Sequence, residues 1–187
     1  VGEGFVAEAA TAASLRYMGV ESSQLGADRL RDRGFEVQHA TIPPFPAGTE
    51  LVDLLYASHV IEHLRGPAEV ALLLEEARDL LQPGGRVALV FPDARWMGID
   101  FWDCDYTHQW PSTPRRVRQV ARDSGYTVTA TYHCCLHLHG AAAFPLRLLY
   151  RLFPANWLGT LDRRREDLWY RGKMLFVPDT LMVLQPR

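Results

Sequence analysis

The sequence predicts an α/β protein built on a doubly wound, mostly parallel sheet with helices on both faces. Three observations carry that prediction. Helix-like and strand-like segments alternate through most of the 187 residues. The strand-like segments are short apolar runs of the kind that parallel sheets bury. Residues 67–81 and 113–124 have helical spacing and begin on Pro67 and Thr113-Pro114, where a first-turn proline belongs.

Taken in order, residues 5–16 are rich in alanine and other helix formers, and residues 17–21 form a short apolar strand closed by Glu21. Residues 24–33 read as a second helix stopped by Gly34, and residues 35–40 alternate as a strand does. A proline-rich turn at 43–48 leads to an apolar strand at 51–57. The helix from Pro67 carries Val70, Leu73, Leu74, Ala77, Leu80 and Leu81 on one stripe and ends at Pro83-Gly84-Gly85. Residues 86–91 make a buried strand, Gly125 stops the helix from Thr113, and residues 126–133 alternate. Residues 179–185 supply the last strand, after a connection too long for a simple crossover and so a natural place for function.

One soluble domain of 1–187 is expected, with a binding core at 1–133, a helical insertion or lid at 134–178 and the last strand at 179–187. Twenty Lys and Arg against 22 Asp and Glu exclude a broad basic surface for nucleic acid. Three cysteines, Cys104, Cys134 and Cys135, are a poor basis for a disulfide framework and suit a reducing cytoplasm. No signal peptide or membrane-spanning run is indicated. In 144–165, Leu146, Leu149, Leu152 and Phe153 alternate with Arg147 and Arg151 ahead of Arg163-Arg164-Arg165. That segment is either a helical lid or a peripheral contact with a membrane, and Trp157, Trp169 and Tyr170 could line an acceptor pocket. The sequence sets no oligomeric state.

The first residues, Val1-Gly2-Glu3-Gly4-Phe5-Val6-Ala7, fit a glycine pattern in which backbone approaches a ligand at a helix N-terminus. The strand that should precede those glycines is missing or truncated. Glu21, ending a strand, can accept hydrogen bonds from both ribose hydroxyls of a nucleoside, or it can cap the turn with Ser22 and Ser23.

Val1–Phe5, Tyr17–Ser22, Leu51–Leu64 (LVDLLYASHVIEHL), Leu80–Pro92 (LLQPGGRVALVFP) and Asp105–Tyr126 together resemble the class I S-adenosylmethionine-dependent methyltransferases, in particular their small-molecule and glycan-type members. The resemblance covers residues 1–133 and implies a Rossmann-like sheet of seven strands, with S-adenosylmethionine across the strands' carboxyl ends. It implies that Gly2 and Gly4 belong to the cofactor loop, that Glu21 holds the ribose and that Ser58 and His59 lie under the methionine part. Past the third strand of that pattern only Thr41 is offered to the adenine. The acceptor implied is an oxygen or nitrogen of a small molecule, glycan or lipid-linked precursor. The alternatives are an inactive binding module of the same fold and, further off, a nicotinamide-type dehydrogenase, which accounts for the glycines alone.

A hydroxyl acceptor needs a base, and histidine titrates in the right range. His108 is the first choice and His59 the second, with Asp105 in a D-x-x-H element beside His108. A hydrogen bond that pins the loop would explain Asp105 and His108 equally well. No metal is expected. His59 and His63, four residues apart around Glu62, would share a helical face, but that segment begins as a strand. His133, Cys135, His137 and His139 would share a strand face and could bind zinc, or simply end a strand.

Overall fold

A computed structural model describes residues 2–134, 145, 148 and 179–187. The sequence segments 135–144, 146–147 and 149–178, with Cys135, His137, His139, the 144–165 amphipathic stretch, Trp157, Trp169 and Tyr170, lie outside the described residues.

The elements follow the expected order. Helix α1 is Phe5–Ala12, β1 Gly19–Glu21, α2 Gln24–Asp32, β2 Val37–His39 and β3 Val52–Ser58. A 3₁₀ turn at Ile61–His63 leads into α3, Pro67–Asp79, and β4, Leu81–Pro92. Two short helices, α4 at Ala94–Met97 and α5 at Asp100–Asp103, precede α6, Pro114–Asp123, then β5, Tyr126–Cys134, and β6, Asp179–Pro186. Capping explains several starts. Ser23 accepts from the Gly26 N–H at the head of α2, and Thr113 accepts from the Arg116 N–H at the head of α6.

The described strands form two sheets, β1-β2 and β3-β4-β6-β5. Pairs β1/β2 and β3/β4 are parallel, while β6 runs antiparallel to both neighbours. In the larger sheet, therefore, β3, β4 and β5 share a direction and β6 alone is reversed. Six strands lie among the described residues, where the family resemblance implies seven. Strand β4 also starts earlier than expected. Val52 pairs with Leu81 and the register then shifts, so Leu54 meets Arg86. The Pro83-Gly84-Gly85 stretch is thus a bulge inside a strand and not the end of a connection. At Gly85 a Cβ would lie 2.9 Å from the Gln82 carbonyl oxygen, which requires glycine there.

The main core lies on one face of the larger sheet. Val87 and Leu89 of β4 stand in register with Leu184 and Met182 of β6 and, together with Phe91, pack with Val70, Leu73, Leu74 and Ala77 of α3 and with Val117 and Ala121 of α6. A smaller cluster, Ala27, Leu30 and Val37, seats α2 on the two-stranded sheet.

Tyr126 sits fully buried at the start of β5 and donates its hydroxyl to the Leu74 carbonyl at 2.7 Å. Burial pushes its phenol up to about 12. Below pH 10 the folded and unfolded chains both keep that proton. Between about pH 10 and 12 only the unfolded chain releases it, so stability falls by about 2–3 kcal/mol across that window. Tyr126→Phe is expected to cost about 1 kcal/mol at pH 8 and to remove that part of the alkaline decline. Denaturant unfolding at pH 8 and 11 measures both effects.

Candidate functional site

Glu21 closes β1, and its carboxylate accepts the Ser23 N–H at 2.9 Å. Burial pushes this carboxyl up, while hydrogen bonds from the Ser23 and Gly2 N–H groups favour its charged form. Gly26 makes room for it. A Cβ on Gly26 would stand 3.2 Å from the Glu21 Cγ, whereas at Gly2, with φ +60°, it would meet nothing within 4 Å. Gly2 thus takes a left-handed backbone that favours glycine. Gly4, with φ +88°, serves packing instead, because a Cβ there would lie 2.7 Å from Leu30 Cδ2 on α2. Thr41 is exposed just beyond β2.

A second group gathers beyond β3. Ser58, the last residue of β3, stands in register with Val90. His59 follows with φ +52°, a left-handed backbone uncommon outside glycine, and turns the chain out of the sheet. Its Nδ1 lies 3.0 Å from Glu62 Oε1 and its Nε2 3.4 Å from Asp179 Oδ2 at the head of β6. Hydrogen bonding to Asp179, then to Glu62, pushes the imidazole up to about 10 and holds it charged at neutral pH.

Glu62 is fully buried in the 3₁₀ turn. Its backbone carbonyl accepts the N–H groups of Gln109 at 2.8 Å and Trp110 at 3.0 Å, which folds the 100–110 loop back onto the turn. That contact brings His63 and His108 together, their ring centroids 4.9 Å apart at 65°. The His108 ring also tilts against Phe101 at 4.6 Å, and its Nδ1 lies 2.7 Å from the Phe101 carbonyl oxygen. A carbonyl only accepts, so His108 Nδ1 carries the proton and its Nε2 the lone pair.

Asp105 is held below the ordinary carboxylate range by the Thr107 hydroxyl, donated at 2.6 Å, and by the Thr107 N–H at 2.8 Å. Having given its hydrogen to Asp105, Thr107 Oγ1 accepts from His63 Nδ1 at 2.8 Å. Asp105 therefore orients His63 through Thr107 and makes no hydrogen bond with the His108 side chain. Residues that the sequence reading passed over are Thr107, Asp179 and Gly26, whereas Glu62 and His63 were weighed there beside His59. The signal for Thr107 was its place inside the D-x-x-H element; Asp179 had none, since its arrival depends on β6 running backward.

An acid thus closes one strand and a polar cluster lies beyond another, at the strand ends where open α/β sheets receive ligands. Comparison narrows the class. Residues 1–89 match the methyltransferase domain family. An uncharacterized 37.1 kDa protein in transposon TN4556 of Streptomyces fradiae is 27% identical over 135 residues, covering 64% of this chain and 38% of that protein. The chain thus spans well under half the length of that relative. Among solved structures, the cyclopropane synthase MmaA2 of Mycobacterium tuberculosis superposes with a TM-score of 0.65 at 16% identity, over 97% of this chain and 74% of its own. An S-adenosylmethionine-dependent methyltransferase of Archaeoglobus fulgidus does so with a TM-score of 0.63 at 17% identity, over 97% and 80%. Residues 1–89 thus resemble a methyltransferase domain, and the solved structures share the fold.

Proposed function

We propose that the protein transfers a methyl group from S-adenosylmethionine to an oxygen or nitrogen of a small molecule, glycan or lipid-linked precursor. The observation that carries this reading is Glu21, an acceptor-only carboxylate at a strand end beside Gly2, within the segment that matches the methyltransferase family. These residues fit the cofactor: Glu21 would take the ribose hydroxyls, Gly2 would face the ligand through its backbone, and Gly4 would fix the helix behind it. Thr41 would stand toward the adenine, and Ser58 and His59 toward the methionine part. When bound, S-adenosylmethionine supplies an electrophilic methyl group on a sulfonium; the chain aligns donor and acceptor.

On the acceptor side, His59 has both ring nitrogens committed to carboxylates and leaves no lone pair for a proton. His108 Nε2 does carry one, so of the two candidate bases His108 is retained. Asp105 acts at one remove, through Thr107 and His63. No described helix is long and apolar enough to cross a membrane. We place the protein in the cytoplasm, with 144–165 as its contact with any membrane-bound acceptor.

Calorimetry with S-adenosylmethionine and S-adenosylhomocysteine tests the reading. One-to-one binding is expected, with dissociation constants in the micromolar range of about 1–100 μM. Absence of binding to either would overturn it. Binding with no transfer of a labelled methyl group into small-molecule, glycan or lipid extracts would favour an inactive binding module.

A further inference from the structure

Three acceptor groups meet in the second cluster with no donor among them. Glu62 Oε2 is buried and has no hydrogen-bond partner. His63 and His108 each spend their Nδ1 proton outward, on Thr107 Oγ1 and the Phe101 carbonyl, and so each keeps an Nε2 lone pair. One ligand atom from each of Glu62, His63 and His108 lies within 4.8 Å of the other two. A buried carboxylate oxygen left without a donor is costly, and neighbouring lone pairs add repulsion. Such a grouping is stabilised by a positive charge at its centre.

We propose that Glu62, His63 and His108 bind a divalent transition-metal ion, with zinc the best match to a His₂Glu donor set. This departs from the sequence expectation of no metal. Distance allows it. Bonds of about 2.0–2.2 Å place tetrahedral ligands about 3.3–3.6 Å apart, so the side chains need close by no more than about 1.5 Å. The surroundings match as well, because ligating histidines characteristically donate their second nitrogen to a carbonyl or an oxygen fixed by a carboxylate. Phe101 supplies the first and the Thr107-Asp105 pair the second. The other carboxylate oxygen of Glu62 is held by His59. Three protein ligands leave a fourth position open, as in sites that admit a substrate atom. That the open position receives the acceptor's oxygen or nitrogen rests on the methyltransferase reading; metal binding itself does not. With the ion in place, His108 is a ligand and not a base.

Zinc titrated by calorimetry into the chelator-stripped chain, without S-adenosylmethionine, tests the site independently of methyl transfer. One-to-one binding is expected, weakened more than about 100-fold in His63→Ala and in His108→Ala, and about tenfold in Thr107→Val, which removes no ligand. Zinc is also expected to raise the melting temperature of the wild type and not of His108→Ala. Should an alanine variant not fold, Glu62→Gln, which preserves the side chain's shape, gives the same readout. Failure of the wild type to bind zinc overturns the proposal. So does binding that the ligand variants leave unchanged, which would move the ion to other residues.

Discussion

Glu21→Ala is expected to raise the dissociation constant for S-adenosylmethionine by about 10- to 150-fold. A carboxylate accepting from hydroxyls makes charge-assisted bonds worth about 1.5–3 kcal/mol, and every 1.4 kcal/mol is tenfold in affinity. The loss concerns binding and not folding. Glu21 is half-exposed, and the Ser23 N–H that it accepts lies on an exposed turn where water can replace it. Calorimetry of the variant beside its thermal melt separates the two: affinity should fall while the melting temperature moves little. An unchanged dissociation constant would remove Glu21 from the ribose role.

Phe91→Ala is expected to act the other way, costing about 3–5 kcal/mol of stability through the cavity left in the main core. Phe91 is fully buried on β4, opposite Thr180 of β6, in the cluster that joins the sheet to α3 and α6. Domains of this size have about 5–15 kcal/mol in hand, so the variant should stand near its unfolding threshold at ordinary temperature. Tyr56 offers the comparison, since it is 41% exposed on β3 and Tyr56→Ala should change stability by only about 0.5 kcal/mol. Urea unfolding of both variants checks the contrast, and comparable losses would mean that the core is drawn wrongly.

These two residues also mark what the sequence made legible. Phe91 belongs to a run of apolar residues bounded by turn signals, and Glu21 ends another; both lie on regular elements whose period or boundaries can be read locally. The same holds for α2, α3 and α6, each with a cap or a first-turn proline. Helices α4 and α5 span four residues each, too few for a period to show. The bulge at Pro83–Gly85 escaped because its residues announce a turn and only the partner strand shows that pairing begins before it.

The polar cluster was harder to read for a different reason. His59, Glu62, His63, Asp105 and His108 are all visible in the sequence, but their grouping depends on two backbone bonds to the Glu62 carbonyl that fold one loop onto another. Sequence spacing pairs His59 with His63, four apart. The 3₁₀ turn instead sends His59 toward Asp179 and His63 toward His108, so neighbours in the chain join different partners.

The reversed strand β6 bears on how such a protein can diversify. Because β6 returns beside β5, Cys134 and Asp179 stand as register partners, and the chain leaves and re-enters the sheet at adjoining positions. The Asp179 side of that junction lies beside His59. Each doubling of such an excursion costs only about 0.6 kcal/mol in closure entropy, and no strand need shift to admit it. The described sheet therefore needs no change of register to carry a different length of chain between Cys134 and Asp179.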